Sequence, residues 1–239
     1  MRAIAIICLM LIAKLGHSQK LSDPQEVIDR CITAHGGELY DQLHIDFTFR
    51  KKEYSITLDH GLYEYERIQS DSSGQILDIL NNEGFTRQLN GELIELSEKM
   101  RSRYSNSLNS VAYFTLLPKG LNDQAVIKKM LPETQIKVQN YYAIEVRFHE
   151  EGGGVDHEDR FVYWIHAEYF TMDYLSYRYH VNGGGLRFRT VSEVKEVDGI
   201  RFQNYDNYKP LSKEVRLEDL PQLFEAGKLK LLSTIENEF

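Results

Sequence analysis

The sequence predicts an α+β protein that is mainly β, a curved antiparallel sheet of about 11 strands with helices covering one side. Two observations carry this. Residues 141–209 read as five consecutive aromatic-rich strands, YYAIEVRF, DRFVYWI, FTMDYLSYRYHV, LRFRTVSEVKEV and IRFQNYDNY, separated by the turn signals EEGGGVDHE, HAEY, NGGG and DG. Helical periodicity is confined to two or three short stretches, whereas a doubly wound sheet or an α/β barrel needs a helix after nearly every strand.

The chain opens on Arg2, an apolar run at 3–13 and the small residues Gly16 and Ser18. This is the pattern of a secretory signal occupying residues 1–18, cleaved after Ser18 so that the mature protein starts at Gln19. The run falls short of the ~20 apolar residues of a spanning helix. Cys8 follows Ile6 and Ile7 rather than the small residues of a lipid-attachment signal. The expected location is therefore periplasmic or secreted. Residues 19–239 keep one cysteine, Cys31, so no intramolecular disulfide forms. They form a single domain, since no Pro/Ser-rich linker, repeat or low-complexity tract divides them. With Arg2 and Lys14 removed, 26 basic residues face 36 acidic ones, a net charge of −10. That balance disfavours nucleic acid and anionic membrane surfaces as partners.

The first helix starts at Asp23-Pro24-Gln25-Glu26, with Asp23 as cap and Pro24 in the first turn. It buries Val27, Ile28, Cys31 and Ile32 and stops at Gly36-Gly37. LHIDFTF, EYSITL, GLYEYERI and QILDIL then alternate as strands, and FTRQLN and ELIEL flank an Asn90-Gly91 hairpin turn. A second helix runs from the Ser97 cap to about Leu116, with Met100, Tyr104, Leu108, Val111 and Phe114 as its apolar stripe and Pro118 beyond its end. For residues 122–131 the pattern does not decide between helix and strand. LEDLPQLFEAG reads as a short helix and KLKLLSTIENE as a final strand.

Hairpin geometry then sets an expected register. Pairing Ile165 with Phe170 and Val181 with Leu186 gathers Val162, Trp164, Leu175, Tyr177, Tyr179, Leu186 and Phe188 on one apolar face and sets Arg187, Arg189, Glu193 and Lys195 on the opposite, polar face. A three-residue loop at Val197-Asp198-Gly199 brings Phe202 opposite Val194 on that face. Laid across it, the second helix would leave an aromatic-lined cavity, because a twisted sheet curves away from a straight helix. The expected ligand-binding residues are Tyr104, Leu108, Val111, Phe114, Val162, Trp164, Leu175, Tyr177, Phe188 and Phe202.

Two other constellations are present. Asp156, His157, Asp159 and His180 cluster near the two glycine triplets, but their spacing matches no zinc pattern or calcium loop. Glycine-rich hairpin turns account for them. Cys31 and His35 are four residues apart on one helix, the spacing of a thiolate pair, yet they suit a core cysteine and a histidine in the last helical turn. No GxSxG, HExxH, CxxC or GxxxxGK[ST] occurs. No catalytic residue, cofactor or metal is assigned.

The segments AHGGELYD, NNEGFTRQLNG, RYSNSLNSVAYFTLLP, EGGGVDHED and YHVNGGGLRFR resemble an uncharacterised family of small exported bacterial proteins over nearly the whole mature chain. The order of elements, with YYAIEVRF, FVYWIHAEYFTMDYLSY and VSEVKEVDGIRFQNY, is similar to the LolA and LolB type of lipoprotein carrier. That resemblance implies an open half-barrel that holds acyl chains or other apolar ligands between sheet and helices. The function expected is an exported, monomeric carrier of a lipid or similarly apolar molecule. A metal-assisted enzyme at the 149–159 and 180–185 loops, and an envelope protein acting through protein partners, are the alternatives.

Overall fold

A computed structural model describes residues 21–149, 158–180, 183–212 and 214–239. The leader with Ser18, Gln19 and Cys8, together with Asp156, His157 and Val181, lies outside the described residues. Helix α1 (Pro24–His35) begins as its sequence dictates, with Asp23 Oδ1 accepting the Gln25 N–H at 2.9 Å, and it buries Val27, Ile28 and Cys31. It ends at Gly36, whose φ of 148° and close approach to Ile200 admit no side chain.

Six strands follow as a meander: β1 (Gln42–Phe49), β2 (Lys52–Asp59), β3 (Leu62–Asp71), β4 (Gly74–Asn81), β5 (Gly84–Leu89) and β6 (Glu92–Leu93). The β5–β6 turn is the expected Asn90-Gly91, both at positive φ. Helix α2 (Glu98–Thr115) crosses this sheet. The chain then enters an eight-stranded sheet: β7 (Val126–Met130), β8 (Thr134–Ile136), β9 (Gln139–Phe148), β10 (Arg160–His166), β11 (Met172–Tyr179), β12 (Gly185–Val197), β13 (Ile200–Pro210) and, after α3 (Leu220–Glu225), β14 (Leu229–Ile235). The undecided segment 122–131 is thus mostly strand β7.

The architecture is the expected one, mainly β, antiparallel and open, with covering helices. The strands divide into two sheets, however, and number fourteen among the described residues. The sheets meet where Thr48 and Glu238 exchange backbone hydrogen bonds of 2.8 and 3.0 Å, and Phe239 packs there on Phe47 and Phe202. Among the described residues no helix is long and apolar enough to cross a membrane.

Three hydrophobic clusters fill the molecule. The smaller sheet packs Leu43, Ile45, Ile56 and Leu58 with Leu108 and Ala112 of α2 and with Leu116 just past its end. One side of the larger sheet packs Tyr163, Ile165 and Leu175 with α1. Its other side packs Val162, Trp164 and Phe188 with Leu217, Leu220 and Phe224 at α3.

The expected registers of the larger sheet are corrected at three turns. Between β10 and β11, Phe170 takes a positive φ and joins the turn, and Asp173 bulges, so Trp164 pairs with Tyr174. The turn is stabilised by His166, whose Nδ1 accepts the N–H groups of Glu168 and Tyr169, both at 3.2 Å. Between β11 and β12, Tyr179 pairs with Gly185. Each pairing differs from expectation by three residues, an odd number, which turns alternate side chains to the other side of the sheet. Between β12 and β13 the turn is the two-residue Asp198-Gly199 form, both at positive φ, and Phe202 lies opposite Lys195 rather than Val194. Phe202 is nevertheless buried, because it packs with Ile200, Phe47 and Phe239 in the cluster of the smaller sheet; farther along, the extra residue Ser192 forms a bulge that resets the phase of β12 against β13.

A row of charges lies beneath α2. Arg67, Asp78 and Arg87 are cross-strand neighbours on β3, β4 and β5, and all three are buried. Asp78 Oδ2 accepts from Arg67 Nη2 at 2.6 Å and Arg87 Nη2 at 2.9 Å, while Oδ1 accepts from Arg87 Nε at 2.6 Å. The second guanidinium nitrogen of Arg67, Nη1, donates to Ser107 Oγ at 3.0 Å, and Arg87 sits 3.4 Å below the Tyr104 ring. Both arginines therefore hold α2 from below.

Removing the shared acid strands two buried cations. Asp78→Ala is expected to lower unfolding free energy by about 3–5 kcal/mol in urea denaturation. A loss under about 1 kcal/mol would show that the triad does not anchor the helix.

Candidate functional site

Helix α2 covers the smaller sheet closely, and its last turn reaches the larger one through Tyr113 and Phe114, which pack on Phe148, Phe161 and Tyr177. Beside these contacts, between the two sheets, opens a cleft of about 880 Å³. Tyr63 and Tyr65 on β3 and Asn109, Ser110, Tyr113 and Phe114 on α2 form one side; Phe148, Phe161, Tyr177 and Tyr179 on the larger sheet form the other. Tyr113 and Tyr163 share a hydroxyl hydrogen bond of 2.7 Å, and burial holds the Tyr113 phenol well above its ordinary pKa, so this pair is uncharged. Phe161 stacks on Tyr177 at 5.5 Å, continuing the aromatic wall.

Polar groups enter from specific strand positions. Arg187 and Arg189 point to the cleft from β12, directly across from Tyr177 and Leu175. Lys119 and the acids Asp41, Asp123 and Asp159 complete the lining. Asp159 Oδ1 accepts the backbone N–H of His180 at 3.2 Å and lies 3.3 Å from the His180 ring.

The structure does not bring the ten sequence-predicted ligand residues together. Phe114 and Tyr177 line the cleft. Leu175 lies in the core beneath it, and Leu108, Val111 and Phe202 pack against the smaller sheet. Tyr104 covers Arg87. Val162, Trp164 and Phe188 project from the opposite side of the larger sheet, a consequence of the odd register difference. There Val162 and Trp164 border a second cavity of about 570 Å³, with Glu133, Arg216, Glu218 and Gln222 at its wall. The sequence reading also placed α2 over the larger sheet; its main support is instead β3–β5, through Leu108, Ala112 and the arginine triad.

The residues missed are Tyr63, Tyr65, Tyr113, Phe161, Tyr179, Arg187 and Arg189. The signal was the YLSYRY and LRFRT pair read in its observed register, which sets Tyr177 opposite Arg187. Alternation alone assigned both arginines to a solvated face, because it cannot tell a cation facing water from one facing aromatic rings.

Cys31 and His35 are a core pair. Burial pushes the Cys31 thiol far up, so it is not a thiolate. His35 Nε2 accepts the Met172 N–H at 3.1 Å. Among the described residues, no three His, Cys, Asp or Glu side chains gather to hold a metal ion.

A family model matches residues 2–237. The chain belongs to a family of unknown function, DUF6503. No curated protein matches it. Among solved structures, it is similar to a LolA superfamily protein, NE2245 of Nitrosomonas europaea, at 10% identity and a TM-score of 0.49 over 92% of this chain and 94% of that one. A DUF1329 family protein of Desulfovibrio piger matches at 12% identity and a TM-score of 0.39 over 80% of this chain and 89% of that one. Likeness at this level says nothing about chemistry, which has to be read from the cleft of this DUF6503 member.

Burial, with the positive charge of Arg201 adding to it, lowers the His35 pKa from 6.5 to about 4. The folded protein therefore takes up this proton less readily than the unfolded chain. Its contribution to stability is complete above pH 6.5, declines as pH falls from 6.5 to about 4, and levels off below. The loss across that window is about 3 kcal/mol. Unfolding free energies of the wild type and His35→Gln, compared from pH 7.5 to 4, should converge as pH falls; a constant difference would mean that His35 is not buried neutral.

Proposed function

We propose that this chain is an exported carrier or binding protein for a lipid, acyl chain or similarly apolar small molecule, held in the cleft between α2 and the larger sheet. The observation that supports this is the cleft itself. Its 880 Å³ falls in the range of about 300–1,000 Å³ typical of small-molecule sites, and nine tyrosine and phenylalanine rings line it, interspersed with charged and amide groups. Tyrosine suits such walls, being apolar along the ring and polar at one tip. Of the ten residues expected from sequence, Phe114 and Tyr177 keep a ligand-contacting role in this reading.

Export rests on the leader-like pattern at residues 1–18. The protein acts in the periplasm or outside the cell as a single-domain monomer, and exchanges its ligand with envelope proteins or membranes. Transfer of a ligand fits a site walled in good part by aromatic rings. The His180–Asp159 pair is the remnant of the enzyme alternative; Asp159 lines the cleft and the His180 ring is half exposed.

The test is titration with a neutral environment-sensitive fluorophore, N-phenyl-1-naphthylamine. Ser110 is exposed and faces the cleft, so Ser110→Trp fills the space without opening a core. It should weaken probe binding at least about tenfold, the effect of roughly 1.4 kcal/mol, while His180→Ala leaves binding unchanged. Binding that survives Ser110→Trp but is lost in Gln222→Trp would place the ligand in the second cavity and contradict the proposal.

A further inference from the structure

Among the described residues three arginines are buried, Arg67, Arg87 and Arg189, and two of them have an acidic partner. Arg67 and Arg87 share Asp78, and the part-exposed Arg160 pairs with Glu145 and Glu218. Arg189 is only 7% exposed and lines the cleft, yet no carboxylate pairs with it among the described residues. Its Nη2 donates to Tyr177 Oη at 2.9 Å, and its buried Nε has no hydrogen-bond partner. Its charge is met by rings alone: the guanidinium carbon lies 3.9 Å from the Phe114 ring centre, 5.2 Å from that of Tyr177 and 6.0 Å from that of Tyr205.

Stacking leaves the edge of a guanidinium free to receive an anion, because rings occupy its faces while its N–H groups point outward in its plane. A buried cation with an unused donor is costly to leave uncompensated. A ligand bringing an anion would relieve that cost, and charge-assisted hydrogen bonds to a planar fork are among the stronger polar contacts. Resting on the carrier reading above, we infer that the cleft selects amphiphiles with an anionic head, carboxylate or phosphate, which Arg189 receives while the apolar chain lies against the aromatic wall.

The neighbouring charges sharpen this assignment. Arg187 has donors already engaged, Nη2 with Tyr179 Oη at 2.7 Å and Nη1 with the Leu186 carbonyl at 2.8 Å. Asp41, Asp123 and Asp159 also line the cleft and repel an anion, while Lys119 adds positive charge to it; Arg189 is the buried cation of the lining, with the aromatic wall against it.

The experiment is displacement of bound N-phenyl-1-naphthylamine by dodecanoate, dodecyl phosphate and dodecanol, which share one chain and differ in head group. The wild type should favour at least one anion over the alcohol by about tenfold or more, the range of a charge-assisted hydrogen bond. The two anionic arms tell a carboxylate from a phosphate preference. Arg189→Met should reduce the preference below about twofold while still binding the neutral probe, and Arg189→Lys should retain part of it. Arg189→Lys also serves if the methionine variant does not fold. Equal competition by alcohol and anions in the wild type, or an anion preference that survives in both variants, would overturn the inference and leave the carrier reading standing. Failure of the wild type to bind the neutral probe would sink the carrier reading first, and this inference with it.

Discussion

The buried carboxylate of Asp78 fixes where α2 lies, and the position of α2 decides whether the protein has a cleft at all. Two arginines converge on one acid across three adjacent strands, and their remaining faces meet Ser107 and Tyr104 on the helix. A purely apolar contact would let the helix slide toward the larger sheet, since packing of this kind is weakly directional. A charge row with satisfied hydrogen bonds resists such sliding, because displacement would leave buried ionic groups without partners. The helix is thereby held over β3–β5, and Tyr113 and Phe114 near its end bridge to the larger sheet beside the cleft.

The same contrast between satisfied and unsatisfied charge separates the two ends of the molecule. Beneath α2, every ionic group has its counterpart. At the cleft, Arg189 stands among aromatic rings with donor capacity to spare. A scaffold that needed the cation only for packing would supply it with an acid, as β4 does for its neighbours. Aromatic stacking instead retains the charge and keeps the edge of the guanidinium available, an arrangement suited to a ligand that arrives and leaves.

Much of the architecture was legible in the residues. Asp23-Pro24 and Gly36 bound α1, Asn90-Gly91 marks the β5–β6 turn, and the aromatic alternation from Tyr141 onward marks the meander. These are local signals, set by backbone conformation and by side-chain period. Register was less accessible, because it depends on Phe170 accepting a positive φ and on the bulges at Asp173 and Ser192. Each inserts or removes a residue from the ladder, and neither composition nor alternation records that. Since a shift by an odd number reverses the sides of a sheet, Trp164 and Phe188 were assigned to the wrong side while Arg189 was assigned to water. The candidate site was therefore legible as a kind of surface, aromatic and facing α2, but not as a set of side chains. The Arg67–Asp78–Arg87 row escaped notice for a related reason: it exists only once three strands are aligned.

The central claim is that an anionic amphiphile occupies the cleft with its head on Arg189. A crystal structure of the protein with 12-bromododecanoate, phased to reveal the bromine by anomalous scattering, tests it most directly. The account predicts bromine density within the cleft between α2 and the larger sheet, with the carboxylate in hydrogen-bonding distance of the Arg189 guanidinium. Bromine located instead beside Trp164 and Gln222 in the second cavity, or a chain in the cleft whose carboxylate lies away from Arg189, would contradict it.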